Sequence, residues 1–403
     1  MHLLGITSRL PYPLTDGAKI CMYRIIKGLS ELGHTVDIVA IDEIDIDVKY
    51  MDSYCKIYKV LEKPISRDIG ALLTLFSKNP YTQIKKNHKS AYTLIDSLVK
   101  KNNYSAVYSD QSHVAQYGSY VKKKYNIPFV LRFHNMEHEI YERVAKNEKN
   151  ILFKNYLIQQ SKKWKRFEIE QATLADASAT ITERDKITLQ NYVPNAVVNT
   201  VTASIDLNDF PYSSIENRKQ NTLLMIGSDM NWAPNKDSVV WFVNKILPLI
   251  LKDSPDTIFY LVGDNPPLDE LPLPNKNFVM LGKNSNIKEL YSTISVGIVP
   301  LRLGGGMRIK ILEMMSAGMP FVSTSIGAEG NFAAPNEHYL LGNTEIEFAK
   351  STIQLLKSKE LQNILSINSN EFVHKNYSDK STIKVFEELL TNAVLNFNKN
   401  VKN

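Results

Sequence analysis

Three consecutive glycines, Gly304, Gly305 and Gly306, separate an apolar run ending at Val299 from the stretch Met307-Arg308-Ile309-Lys310-Ile311-Leu312-Glu313. This pattern predicts a strand, a tight glycine turn and an amphipathic helix over residues 307–316. Glycines let backbone N–H groups approach an anion with no side chain in the way. A helix N-terminus adds free N–H groups and a dipole that favours phosphate. Arg308 and Lys310 put positive charge into the first turn, where a purely structural helix prefers acids; a bound anion resolves that conflict. Glu313, about two turns in, offers a carboxylate that can accept hydrogen bonds from two vicinal hydroxyls, such as those of a ribose. The bland alternative is a flexible turn with a snorkelling Arg, Lys and Glu. Glycines, cations and carboxylate together favour the ligand.

The elements that must position these groups read as two successive βα arrays. An apolar strand at 2–8, a Pro- and Gly-containing loop, a helix at 18–32 stopped by Gly33 and a strand at 35–41 begin the first. Further strands are expected at 56–60, 106–109, 128–133, 179–182 and 197–203, with a long basic amphipathic helix at 151–178. The polar, turn-rich stretch 206–221 is the expected linker. The second array has strands at 222–226, 257–262, 278–281, 296–299 and 321–323, helices at 238–251, 287–294 and 307–316, and closing helices from 344 onward. Strands alternating with helices predict α/β domains, each a parallel sheet covered on both faces. Ligands of such folds bind at the carboxyl ends of the strands, here expected in a cleft between the two domains.

The rest of the sequence excludes other chemistries. Its 403 residues suffice for two domains, and a 43% hydrophobic, 22% charged composition is that of a globular protein. The net charge of +6 arises in residues 1–210, with 29 Lys and Arg against 23 Asp and Glu. That excess is too small to argue for nucleic acid. Two cysteines, Cys21 and Cys55, make neither a disulfide framework nor a metal cage. No apolar run approaches the length of a membrane span, and the first residues lack the pattern of a signal peptide. A cytoplasmic location is therefore expected, with peripheral contact at the inner membrane face as an option. Asp45-Ile46-Asp47 reads as a solvated turn, and no Walker loop, Gly-x-Gly-x-x-Gly after the first strand or zinc spacing occurs.

The triple-glycine run and its continuation, Leu312-Glu313-Met314-Met315-Ser316-Ala317-Gly318-Met319-Pro320, resemble the donor motif of glycosyltransferase family 4, the glycosyl transferases group 1. Residues 323–330, residues 227–235, the stretch Pro11-Tyr12-Pro13-Leu14-Thr15-Asp16-Gly17-Ala18 and Arg132-Phe133-His134-Asn135-Met136-Glu137 resemble that group too, in kind and order. The resemblance implies a GT-B fold, two Rossmann-like domains facing a central cleft. Residues 1–208 would bind the acceptor and residues 209–403 the nucleotide-sugar donor, with the last helices free to pack back on the first domain. It further implies a retaining, metal-independent transfer from a nucleotide-diphosphate sugar, with no other cofactor, to a glycan, lipid-linked or other hydroxyl acceptor. Glu313 would bind the donor ribose, and residues 304–306 would face the diphosphate and sugar. Two positions depart from the pattern. Gly305 stands where many members carry a second glutamate, and Asp229 and Asn231 stand where many carry Arg and Lys.

Arg308, helped by Lys310, is therefore expected to offset the charge of the leaving diphosphate. His134, at the end of an apolar strand, is expected to bond the transferred sugar or orient the acceptor. Glu137 and Asp16 are candidates for contact with an acceptor hydroxyl, and Gly17 would let backbone approach the donor phosphates. Leu72, Leu73, Leu75 and Phe76, interleaved with Lys78, Lys85, Lys86 and Lys89, suggest an interfacial surface toward an anionic membrane; a helical hairpin with a wet basic face is the alternative. A non-catalytic nucleotide-sugar-binding subunit and a nucleotide-sugar epimerase of the same architecture remain open as other functions.

Overall fold

The computed structural model describes residues 1–61, 74, 77–282, 285–304 and 307–402. The chain forms two units, Met1–Ala203 with Asp379–Asn403, and Ser204–Ser378. In the first, the strands β1 (His2–Thr7), β2 (Thr35–Asp42), β3 (Lys56–Leu61), β4 (Ala106–Asp110), β5 (Phe129–Phe133), β6 (Ala177–Thr180) and β7 (Val198–Thr200) pair in parallel in the order β3-β2-β1-β4-β5-β6-β7. Every residue of β4 and β5 is buried, as a parallel sheet covered on both faces requires. Successive side chains alternate between two cores: Leu3, Ile38 and Ala40 enter one, Leu4, Val39 and Ile41 the other. The helices of this unit are α1 (Gly17–Glu31), α2 (Tyr81–Lys85), α3 (Lys89–Lys101), α4 (Ala115–Tyr125), α5 (Glu137–Asn147), α6 (Ile151–Leu174) and α7 (Glu183–Tyr192).

α6 ends earlier than its sequence suggests. The Asp176 carboxylate accepts from the Phe129 N–H at 2.8 Å and from Lys122 Nζ at 2.9 Å. That anchor draws the following Ala-Ser-Ala-Thr run into the sheet as β6, overriding the helix preference of alanine.

In the second unit, β8 (Lys219–Asp229), β9 (Ile258–Asp264), β10 (Phe278–Met280), β11 (Ile294–Val299), β12 (Phe321–Ser323) and β13 (Leu340–Leu341) pair in parallel in the order β10-β9-β8-β11-β12-β13. The expected helix at 238–251 starts earlier and is split into α8 (Ala233–Trp241) and α9 (Leu247–Asp253) by a π-helical turn at Phe242–Ile246. Pro248 has no N–H for the carbonyl four residues back, and the wider turn absorbs the break. α10 (Ile287–Thr293), α11 (Ile309–Ser316), α12 (Glu345–Lys357) and α13 (Lys359–Asn376) complete this unit.

The chain then returns to the first unit with α14 (Asp379–Lys402), whose Ile383, Phe386, Leu389 and Leu390 enter the core beside α1. Gly28 makes the approach possible, because a Cβ there would lie 2.4 Å from Ile383.

In each sheet the order reverses once beside the first strand, between β1 and β4 and between β8 and β11. Loops leaving the carboxyl ends of such a strand pair diverge to opposite faces and open a crevice. The candidate residues gather at these two switch points. No helix among the described residues is long and apolar enough to cross a membrane.

Candidate active site

The glycine turn and its charges converge at the β8/β11 switch point. Gly304 has φ +106, a conformation that favours glycine, and a Cβ there would lie 2.9 Å from Arg308 Nη2, so the guanidinium lies over the turn. Gly305 and Gly306 lie outside the described residues. α11 begins at Ile309, two residues later than expected, which makes Arg308 its N-cap residue and leaves Glu313 little more than one turn in. Lys310 donates to the Ile226 carbonyl at the end of β8. Burial, with Arg308 nearby and only partial relief from Glu313, lowers its pKa to about 8. The Glu313 carboxylate accepts from the buried Tyr291 hydroxyl at 2.9 Å, which orients one oxygen.

Arg218, inside the expected linker, holds this arrangement and was not legible as a site residue. It is 4% exposed. Its guanidinium donates to the Tyr291, Ile294, Ser213 and Ala317 carbonyls at 2.6, 2.9, 3.1 and 2.6 Å. A cation thus ties the carboxyl ends of α10 and α11, where the helix dipole favours it, and fixes Tyr291 relative to Glu313. The loop after β12 is tied in as well: Thr324 Oγ1 donates to the Leu301 carbonyl and accepts from the Gly327 N–H.

At the β1/β4 switch point, residues from three strand ends form one buried network. Asp110, fully buried at the end of β4, accepts from Arg132 Nη1 at 3.0 Å and from His134 Nε2 at 2.6 Å. Burial works against its ionisation, but Arg132 and His134 outweigh it and hold the carboxyl below its ordinary range. Burial lowers the His134 pKa despite Asp110, which keeps the ring neutral. Its Nδ1 then accepts from the Gln111 amide at 3.4 Å, and Gln111 in turn accepts from Ser8 Oγ. His134 is 6% exposed with both ring nitrogens engaged. Gln111 has φ +94, off the usual range for its type.

Glu137 opens α5, and burial together with Glu168 pushes its carboxyl up to about 8. Glu168 of α6 accepts from the Glu137 N–H at 2.7 Å and pairs with His138 Nδ1 at 2.6 Å. Asp16 caps α1, accepting from the Ala18 and Lys19 N–H groups, and Gly17 is the first helical residue. Arg9 donates to Asp16 at 3.3 Å, and its charge also acts on His134 and Glu137. Asp45 pairs with Lys59, and Asp47 accepts from the Lys49 N–H. Of the interfacial surface expected at 70–89, Leu72, Leu73, Leu75 and Phe76 lie outside the described residues. Lys85 pairs with Glu43, and Lys86 turns inward to the Ile41 carbonyl.

Residues 220–358 match the family Glycosyl transferases group 1. The chain is similar over 96% of its length to an uncharacterized 44.6 kDa protein in the cps region of Klebsiella pneumoniae, of which it covers 98% at 24% identity. It is similar in structure to sucrose-phosphate synthase of Thermosynechococcus elongatus, with a TM-score of 0.74 and 15% identity over 97% of this chain and 99% of that one. It is also similar to Anabaena HepE, solved in complex with UDP, with a TM-score of 0.69 and 12% identity over 97% and 100%. The fold is GT-B. The group 1 match falls within the second unit, Ser204–Ser378.

Proposed function

We propose that the protein transfers a sugar from a nucleotide-diphosphate sugar, held on its second unit, to a glycan or lipid-linked hydroxyl acceptor bound by its first. One observation carries the reading: Arg308, at the N-cap of α11, lies over Gly304, Lys310 and Glu313 of α11 act on one another, and Tyr291 holds Glu313. The carboxylate grips the ribose while the two cations face the diphosphate. HepE is known with UDP, with UDP and glucose, and with UDP-glucose, which makes a UDP-sugar the first donor to try. The similarity to a protein in a cps region favours a role in surface polysaccharide assembly. Retention of configuration and independence of a divalent metal rest on the family resemblance. His134 and Asp16 shape the acceptor side. Glu137, protonated at neutral pH, donates a hydrogen bond to an acceptor oxygen.

Thermal melting against a panel of nucleotide-diphosphate sugars in EDTA tests the donor site. A ligand at 100 times its Kd stabilises by about 2.7 kcal/mol, which raises the melting temperature by several degrees; no shift with any member overturns the reading. Glu313→Ala is expected to raise the donor Kd about 10-fold or more, the worth of a charged hydrogen bond, as measured by calorimetry. Because only protonated Lys310 attracts the diphosphate, and its pKa is about 8, donor affinity should be flat below that pH. Above it, affinity should fall by up to about tenfold per pH unit. In Lys310→Met this fall should vanish; a wild-type profile that stays flat into the alkaline range removes Lys310 from the site.

A further inference from the structure

α6 carries an apolar surface that packing does not explain. Ile151, Leu152 and Phe153, its first three residues, are 73%, 82% and 38% exposed, and Ile158 is 36% exposed. The turn is formed rather than frayed: the Asn150 side chain accepts from the Leu152 and Phe153 N–H groups, and Phe153 stacks on Tyr156 with ring centroids 6.0 Å apart. The opposite ridge, Leu157, Trp164 and Phe167, is already buried in the unit. At about 100° per residue, Ile151, Ile158 and Lys162 fall within one narrow outward stripe. Around it the chain is basic. Residues 146–166 contain seven Lys and Arg and one acid, Glu148, and Lys146, Lys149, Lys162 and Arg166 are exposed.

We propose that the start of α6 is a membrane-docking surface for an anionic lipid bilayer. Ile151 and Leu152 enter the headgroup–acyl boundary, with Ile158 behind them, and the lysines meet the lipid phosphates. An apolar tip ringed by cations fits a negatively charged, apolar-cored surface on both counts. A second copy of the chain fits poorly, because a two-fold contact through this patch sets lysine against lysine. The surface does not span the bilayer; it lies on it. The inference deepens the proposed function only by placing the acceptor at a membrane, and its test uses neither donor nor acceptor, so the two can fail separately.

The test is flotation of the full chain with phosphatidylglycerol–phosphatidylcholine vesicles and with phosphatidylcholine alone. Flotation is expected with the anionic vesicles at low salt and is expected to be lost at high salt. Each lysine near such a surface contributes about fivefold to the partition coefficient. The double variants Ile151→Asp/Leu152→Asp and Lys149→Glu/Lys154→Glu should therefore each lower partitioning about tenfold or more with an unchanged melting temperature. If the aspartates disturb melting, Ile151→Ser/Leu152→Ser supplies the same contrast. Four results would overturn the proposal: no flotation of the wild type, equal flotation with neutral vesicles, variants that float as well as the wild type, or a dimer of the wild type that Leu152→Asp dissociates.

Discussion

Donor turnover is expected to fall about 100-fold or more in Arg308→Ala, the scale of losing a preorganised charge partner in a transition state. As the glycosidic bond breaks, negative charge grows on the departing diphosphate. In the proposed transfer Arg308 meets that charge; its guanidinium lies over Gly304 and its backbone is the N-cap of α11. The effect should fall on kcat more than on the donor KM, in contrast to Glu313→Ala, because the charge it answers is largest in the transition state. Arg308→Lys should recover part of the loss, keeping the charge but not the planar fork. Release of free nucleotide diphosphate in the presence of acceptor reads both constants. A kcat in Arg308→Ala close to wild type would remove this residue from the chemistry.

The second large effect concerns stability. Asp110→Ala is expected to cost about 3–5 kcal/mol, because it strips the carboxylate from a guanidinium that cannot reach water. Arg132 is 1% exposed and Asp110 is fully buried. The Cys21 thiol sits in the same pocket, pushed up chiefly by burial and lowered in part by Arg132, and is no substitute anion. Asp110→Asn should cost less, since the amide oxygen still accepts one hydrogen bond. Urea unfolding followed by circular dichroism measures the difference; a loss below about 1 kcal/mol, the size of a surface pair, would mean that the network carries no structural weight.

The cluster proposed for the donor was legible as a cluster because one continuous stretch holds it. A strand, a glycine turn and a helix follow one another between 294 and 316, so composition and order alone bring Gly304, Arg308, Lys310 and Glu313 together. Only the helix start shifted, which moved Glu313 nearer the turn. The network at the other switch point was not legible. Ser8, Asp110, Gln111, Arg132 and His134 come from the ends of β1, β4 and β5, and only strand order makes them neighbours; His134 alone was singled out, from its place after an apolar run. Arg218 was hidden by its company, since an Asn-Arg-Lys-Gln-Asn stretch looks like wet linker until the carbonyls it clasps are in place. Glu168 was hidden likewise, on a helix that reads as basic surface, although it is 2% exposed. Propensity locates elements well; it does not see which polar side chain will be sealed against a distant helix end.

The position of α14 bears on how the protein is made. Its Ile383, Phe386, Leu389 and Leu390 fill one face of the first unit, yet they leave the ribosome only after the whole of Ser204–Ser378. At about 5–20 residues per second, the sheet begun at His2 waits for the whole of the intervening unit to be synthesised before this flank can close. Leu3, Ile25, Ile26 and Leu29, which share that core, stay partly uncovered in the nascent chain. A ribosome that stops short of Asp379 therefore releases a polypeptide whose first unit is the one left greasy, a natural client for a chaperone.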